Sequence, residues 1–200
     1  MITSKILVFI SKILLGINSR ESVPLDRSKQ KIYFANHSSH VDTIAIVAAL
    51  PSKYRKVTKP VAAADYWGKT PLLKYISTKG LNCILINRKP KASDPDVLSP
   101  IYEALDKGNS IIIFPEGTRG DSPLPSDFKS GIYHLAQKYP DVDLIPVYLD
   151  NVYRCMPKGK FIPLPLICSV RFGAPLERIV SEDKKDFLIR AQNAVIGLSS

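Results

Sequence analysis

Within the eight residues Ala35–Asp42 stand His37, His40 and Asp42, directly after the apolar run KIYFA. The chain has three histidines in all, so two in one short stretch ask for an explanation. As metal ligands, two imidazoles and a carboxylate would give an N,N,O set that still lacks the fourth ligand of a closed site. As a general base, His37 would take a proton from a nucleophile while Asp42 held its other ring nitrogen and stabilised the imidazolium. As neither, the three would be ordinary members of a polar turn. Imidazole titrates close to neutrality, so the base chemistry needs little tuning.

The rest of the chain offers few partners for other chemistries. No GxSxG nucleophile turn and no HExxH pair occur. His134 lies within IYHLAQ and reads as a packed or surface residue of a helix. On a helix entered near Ser38–Ser39, His40 would point away from His37 and is a secondary group. Cys83, Cys155 and Cys168 are odd in number and widely spaced, with no CxxC pair, and read as buried thiols of a reducing compartment. A base without a protein nucleophile would activate a hydroxyl of the substrate.

A second chemical stretch, PEGTRGDS, follows the apolar run SIIIF. Gly117 permits a tight turn whose backbone N–H groups can cradle an anion. Arg119 offers a fork of donors that fits phosphate. Arg88, at the end of CILIN, and Lys129 could add positive charge, and Glu116 could orient an arginine or accept a bond from a substrate hydroxyl.

These loops must be set by the elements before them. KIYFA (31–35), KPVAAA (59–64), CILIN (83–87), SIIIF (110–114), LIPVYL (144–149) and LICSVRF (166–172) are predicted strands. Their mostly continuous apolar character suits a sheet covered on both faces. Helices are predicted over 41–50, 94–108 with Gly108 as its stop, 129–139, and 181–198 with Ser181 as its cap. The alternation gives an α/β fold, a mixed and largely parallel sheet flanked by helices, with chemistry in loops beyond strand ends. Two hundred residues without repeats or flexible linkers make one domain, over 21–200.

The formal charge is +10, and residues 1–80 carry 13 Lys/Arg against 4 Asp/Glu. A one-sided basic surface attracts an anion: nucleic acid, an acidic membrane or a phosphorylated substrate. Residues 1–20 choose among these. Ile2, Ile6, Phe9, Ile10, Ile13, Leu14 and Ile17 share one side of a helix, opposite Lys5 and Lys12. A helix over 2–17 would be about 24 Å long, too short to span a bilayer, and fits an amphipathic helix lying in an anionic membrane surface. Packing of that helix on the protein's own core is the alternative. Nucleic acid would explain the charge but not the His/Asp pair, and no nucleic-acid motif appears.

NHSSHVD resembles the NHxxxxD block of the glycerolipid acyltransferases, which acylate glycerol-3-phosphate and 1-acylglycerol-3-phosphate. FPEGTR is similar to their third block, CILINR to their second, and LIPVYL, with Pro146, to their fourth. The blocks stand in the family's order and cover about residues 31–150. The resemblance implies acyl transfer from a thioester, acyl-CoA or acyl-carrier protein, to the hydroxyl of a lysophospholipid such as lysophosphatidic acid, with neither metal nor cofactor. It implies His37 as general base and Asp42 as its orienting partner. Arg88, Glu116, Gly117, Thr118 and Arg119 would hold the acceptor, with Lys129 as a further candidate. It also implies a membrane-associated protein at the cytoplasmic face. Another lysophospholipid, or an amino-acid lipid, is an alternative acceptor; a non-catalytic anionic-lipid-binding protein is the alternative of another class. Three departures are visible: the glycine that the second block carries six residues before its arginine is here Asn82, a residue that tolerates left-handed backbone; the N-terminal region offers one short helix where family members often carry longer helical membrane segments; and two prolines in GDSPLPSDFKSG could set the loop bearing Lys129 differently.

Overall fold

The computed structural model describes residues 16–26, 28–39, 41–88, 96–152 and 168–199. Among them a seven-stranded sheet forms the frame. Its strands are β1 (Asn18–Glu21), β2 (Lys31–Ala35), β3 (Thr58–Ala63), β4 (Ile84–Ile86), β5 (Ser110–Ile113), β6 (Asp143–Asp150) and β7 (Ser169–Phe172). The order across the sheet is β1-β7-β6-β2-β5-β3-β4. From β6 through β2, β5 and β3 to β4 every pairing is parallel. β7 runs antiparallel to β6, and β1 runs parallel to β7. The sheet is therefore mixed and largely parallel.

Alternation along β2 divides the core. Ile32 and Phe34 enter one apolar cluster with Ile101, Leu105, Ile111, Ile113, Ile132, Leu135 and Phe187. Tyr33 and Ala35 enter the other, with Ala45, Ile46, Ile112, Val147 and Val170. Both faces are covered, which is why the central strands read as unbroken apolar runs.

The helices follow the strands. They are α1 (Asp42–Ala49), α2 (Ser52–Val57), α3 (Ala64–Trp67), α4 (Pro71–Tyr75), α5 (Ser99–Asp106), α6 (Gly131–Lys138) and α7 (Lys184–Ile196), with a π-helical turn over Ile76–Gly80. Gly108, with φ +76°, follows the end of α5 in the left-handed conformation of a helix stop. The cap of α7 is Asp183 rather than Ser181, because its carboxylate accepts the N–H groups of Lys185 and Asp186. Asn82 adopts φ +56°, a left-handed conformation that asparagine tolerates.

Two departures concern elements without an apolar pattern. β1 (NSRE) is fully exposed and is held by backbone pairing at the sheet edge, so no periodicity marks it. It also means that the stretch assigned to the N-terminal helix gives way to sheet by Asn18. Residues 1–15, which would form nearly all of that helix, lie outside the described residues, as does His40. The short helices α2, α3 and α4 escape the sequence reading because none buries a side chain. Among the described residues no helix is long and apolar enough to cross a membrane.

Candidate active site

Because β2 and β5 are adjacent and parallel, the loops after them leave the sheet side by side. His37 sits in the first and Glu116 in the second. The carboxylate Oε1 of Glu116 accepts the His37 backbone N–H at 2.7 Å. The Gly120 N–H donates to the His37 carbonyl at 2.8 Å. Both sides of the His37 backbone are thus tied to the PEGTRG loop. The His37 ring stacks on Phe114, centroids 4.2 Å apart and planes 21° apart.

The ring's Nδ1 lies 2.8 Å from Asp42 Oδ2. The same oxygen accepts the N–H groups of Ser38 at 2.7 Å and Ser39 at 2.8 Å. Asp42 is fully buried and opens α1, where the helix N-terminus favours an anion. Capture of the Ser38 and Ser39 amides turns the chain before the helix, so α1 begins at Asp42 and not near Ser38. A carboxylate that accepts Nδ1–H leaves Nε2 with a lone pair, the tautomer a base requires. Sequence reasoning overlooked Asn36, which is buried beside this turn. Its side chain donates to the Leu149 carbonyl and accepts the Leu149 N–H, locking the ends of β2 and β6 together. The signal available was its place directly after a buried strand.

His37 lines a cavity of about 600 Å3. Val61, Ala62, Ile86 and Ile113 from the strands, with Ile101 from α5 and Ile132 and Leu135 from α6, give it an apolar wall. Arg88, Arg119, Lys129 and Lys69 also line it, together with Asp65. Arg88 makes a two-pronged bond to Asp65, at 3.2 and 2.6 Å, and donates to the Gly117 carbonyl at 2.9 Å. These bonds hold the Asp65 carboxyl below the usual carboxylate range. The guanidinium of Arg119 lies over the Tyr66 ring, 5.4 Å from its centroid. Gly117 has φ +72°, so the turn needs glycine for its conformation; a Cβ there would meet the flexible end of Lys129, 2.7 Å from Nζ.

The structure thus gathers His37, Asp42, Arg88, Gly117, Arg119 and Lys129 at one place. Two further expected acceptor ligands lie in the same loop but do not line the cavity. Glu116 is buried, with Oε1 on His37 and Oε2 on the N–H and hydroxyl of Ser126, so its oxygens are taken by the protein. Thr118 is exposed on the turn and is not part of the cavity wall. His134, expected to be packed or on the surface, is exposed at the cavity. Burial pushes the Cys83 thiol up to about 12, which leaves it protonated and unreactive at neutral pH.

Comparison with known proteins bears on this arrangement. A protein 27% identical over 148 residues is the 1-acyl-sn-glycerol-3-phosphate acyltransferase of Limnanthes alba; the match covers 74% of this chain and 50% of that protein. The enzyme of the same name from Helicobacter pylori is 31% identical over 141 residues, covering 69% of this chain and 55% of its own. The chain therefore spans about half the length of these relatives. The crystal structure of the 1-acyl-sn-glycerophosphate (LPA) acyltransferase PlsC from Thermotoga maritima superposes with a TM-score of 0.74 at 20% identity, over 98% of this chain and 79% of that one. That likeness is one of fold. The family model described as "Acyltransferase" matches residues 16–150, and the chain belongs to the acyltransferase family.

Proposed function

We propose that the protein transfers a fatty acyl group from a thioester, acyl-CoA or acyl-carrier protein, to the free hydroxyl of a lysophosphatidic acid, giving phosphatidic acid. His37 Nε2 takes the hydroxyl proton as the oxygen attacks the thioester carbonyl carbon. The tetrahedral intermediate collapses with breakage of the C–S bond, and the imidazolium returns the proton to the leaving thiolate. Asp42 holds the ring and offsets the imidazolium charge. Arg119 and Lys129 face the acceptor's phosphate, and Arg88 sets the Gly117 turn between them. The acyl chain lies along the wall of Val61, Ile86, Ile101 and Ile132. None of these steps uses a metal or cofactor. A lipid acceptor and a water-soluble donor put the reaction at the membrane surface on the cytoplasmic face.

Support comes above all from one arrangement: an imidazole fixed on a buried carboxylate at 2.8 Å, in the wall of a cavity lined by both basic and apolar side chains. Names of relatives point to the same acceptor. The test is transfer of a labelled acyl group from acyl-CoA, with lysophosphatidic acid set against a lysophospholipid bearing a zwitterionic headgroup and against an amino-acid lipid. Lysophosphatidic acid is expected to be preferred, and Arg119→Ala is expected to raise its KM about tenfold or more, the scale of one charge-assisted bond. Equal use of all acceptors, unchanged in Arg119→Ala, would remove the phosphate from the account.

A further inference from the structure

Between Tyr66 and Arg88 the chain has no acidic residue, and it carries Lys69, Lys74 and Lys79. Leu72 is 68% exposed and Tyr75 51% exposed, on a five-residue helix α4 that buries no side chain. The two lie three positions apart and so share a helical face. A helix this short does not stand by itself in water and is stabilised by what it packs against. Here the face leaves half or more of each of these two side chains exposed. The segment is also continuous with the cavity, to which Asp65, Tyr66, Trp67 and Lys69 contribute wall.

We infer that Trp67–Lys79 is a membrane-docking element at the cavity mouth. Leu72 and Tyr75 enter an anionic bilayer while Lys74 and Lys79 engage its headgroups. Apolar and aromatic side chains flanked by Lys74 and Lys79, with no acid inside the segment, match the chemistry of that surface. Docking by this segment would open the cavity toward the lipid phase, so that an acceptor passes from bilayer to His37 without crossing water. It rests on the acyltransferase reading only in taking the acceptor to be a lipid.

Trp67 is the chain's single tryptophan, and it reports on this segment directly. The full chain is mixed with phosphatidylglycerol-containing vesicles whose acyl chains carry bromine, which quenches nearby indole, and with phosphatidylcholine vesicles alone. Quenching is expected with the anionic vesicles and is expected to vanish in Leu72→Asp/Tyr75→Ser. Lys74→Gln/Lys79→Gln is expected to weaken anionic-vesicle binding about 25-fold, at roughly fivefold per lysine. Unquenched Trp67 in protein that still sediments with vesicles would overturn the inference and assign binding to another part of the chain. Quenching that survives in the Leu72/Tyr75 variant would overturn it as well. So would a wild-type dimer that this variant converts to monomer, since a second copy would then cover the face. Transfer to a short-chain, water-soluble lysophosphatidic acid separates the two proposals. The Leu72/Tyr75 variant is expected to keep that rate and to lose transfer to vesicle-borne acceptor; loss of both would place the pair in the pocket's own machinery. If wild type transfers to neither acceptor, the acyltransferase reading falls while the quenching still decides the surface. Should the variant fail to fold, quenching of wild type decides alone.

Discussion

Two regions beside the cavity are built in opposite ways. On one, Asn36, Asp42 and Glu116 are at most 3% exposed, and each binds two or more protein groups. On the other, α3, α4 and the turn after them run over residues 64–80 with only Ser77 and Gly80 buried. On the proposed function, the contrast follows from what each side would do. A base must be held in one geometry before the reaction, since reorganisation during it would raise the barrier. A surface that admits a lipid has no such demand and is free to leave apolar groups exposed.

That comparison breaks most sharply at Glu116. Its removal takes the acceptor from the part-buried His37 N–H and from the N–H and hydroxyl of the exposed Ser126, bonds to a charged acceptor that each contribute at most about 1.5–3 kcal/mol. Glu116→Ala is therefore expected to lower the denaturation midpoint clearly and to cut kcat more than tenfold, with acceptor KM moving less. A variant that melts like wild type and changes KM alone would return Glu116 to the acceptor.

The exposed side predicts smaller effects. Asp65→Asn is expected to leave the midpoint nearly unchanged, because exposed ion pairs contribute about 0–1 kcal/mol. It frees Arg88 from its strut, so acceptor KM is expected to change a few-fold at constant kcat. The pH dependence has a definite sign. The folded-state carboxyl of Asp65 is depressed by its bonds to Arg88. Its contribution is therefore present above the ordinary carboxylate value of about 3.9 and is lost only as pH falls through the lowered one. Wild-type KM measured from about pH 5 to 8 is expected to show no step from this pair. A step in that range that disappears in Asp65→Asn would mean the pair titrates as something other than a strut.

The sequence made one of these regions far more legible than the other. Buried strands carry continuous apolar runs, so β2, β5 and β6 and the loops after them could be placed by pattern alone. The His37–Asp42 pair was legible because its members are five positions apart in one turn. The bracing by Glu116 was not, because 79 residues separate it from His37 and only the parallel pairing of β2 with β5 brings them together. Asp65 was missed for the same reason: it stands 23 residues before Arg88, on a helix with no apolar face to betray it. β1 and α4 left no periodic trace because neither buries a side chain.

The most direct test is the transfer rate from labelled acyl-CoA to lysophosphatidic acid in wild type, His37→Ala and Asp42→Asn, all verified as folded by circular dichroism. An imidazole that removes the acceptor's proton, steered by a buried carboxylate, predicts a loss of at least about 10²-fold in kcat for each variant. A folded His37→Ala protein that turns over at the wild-type rate would contradict it.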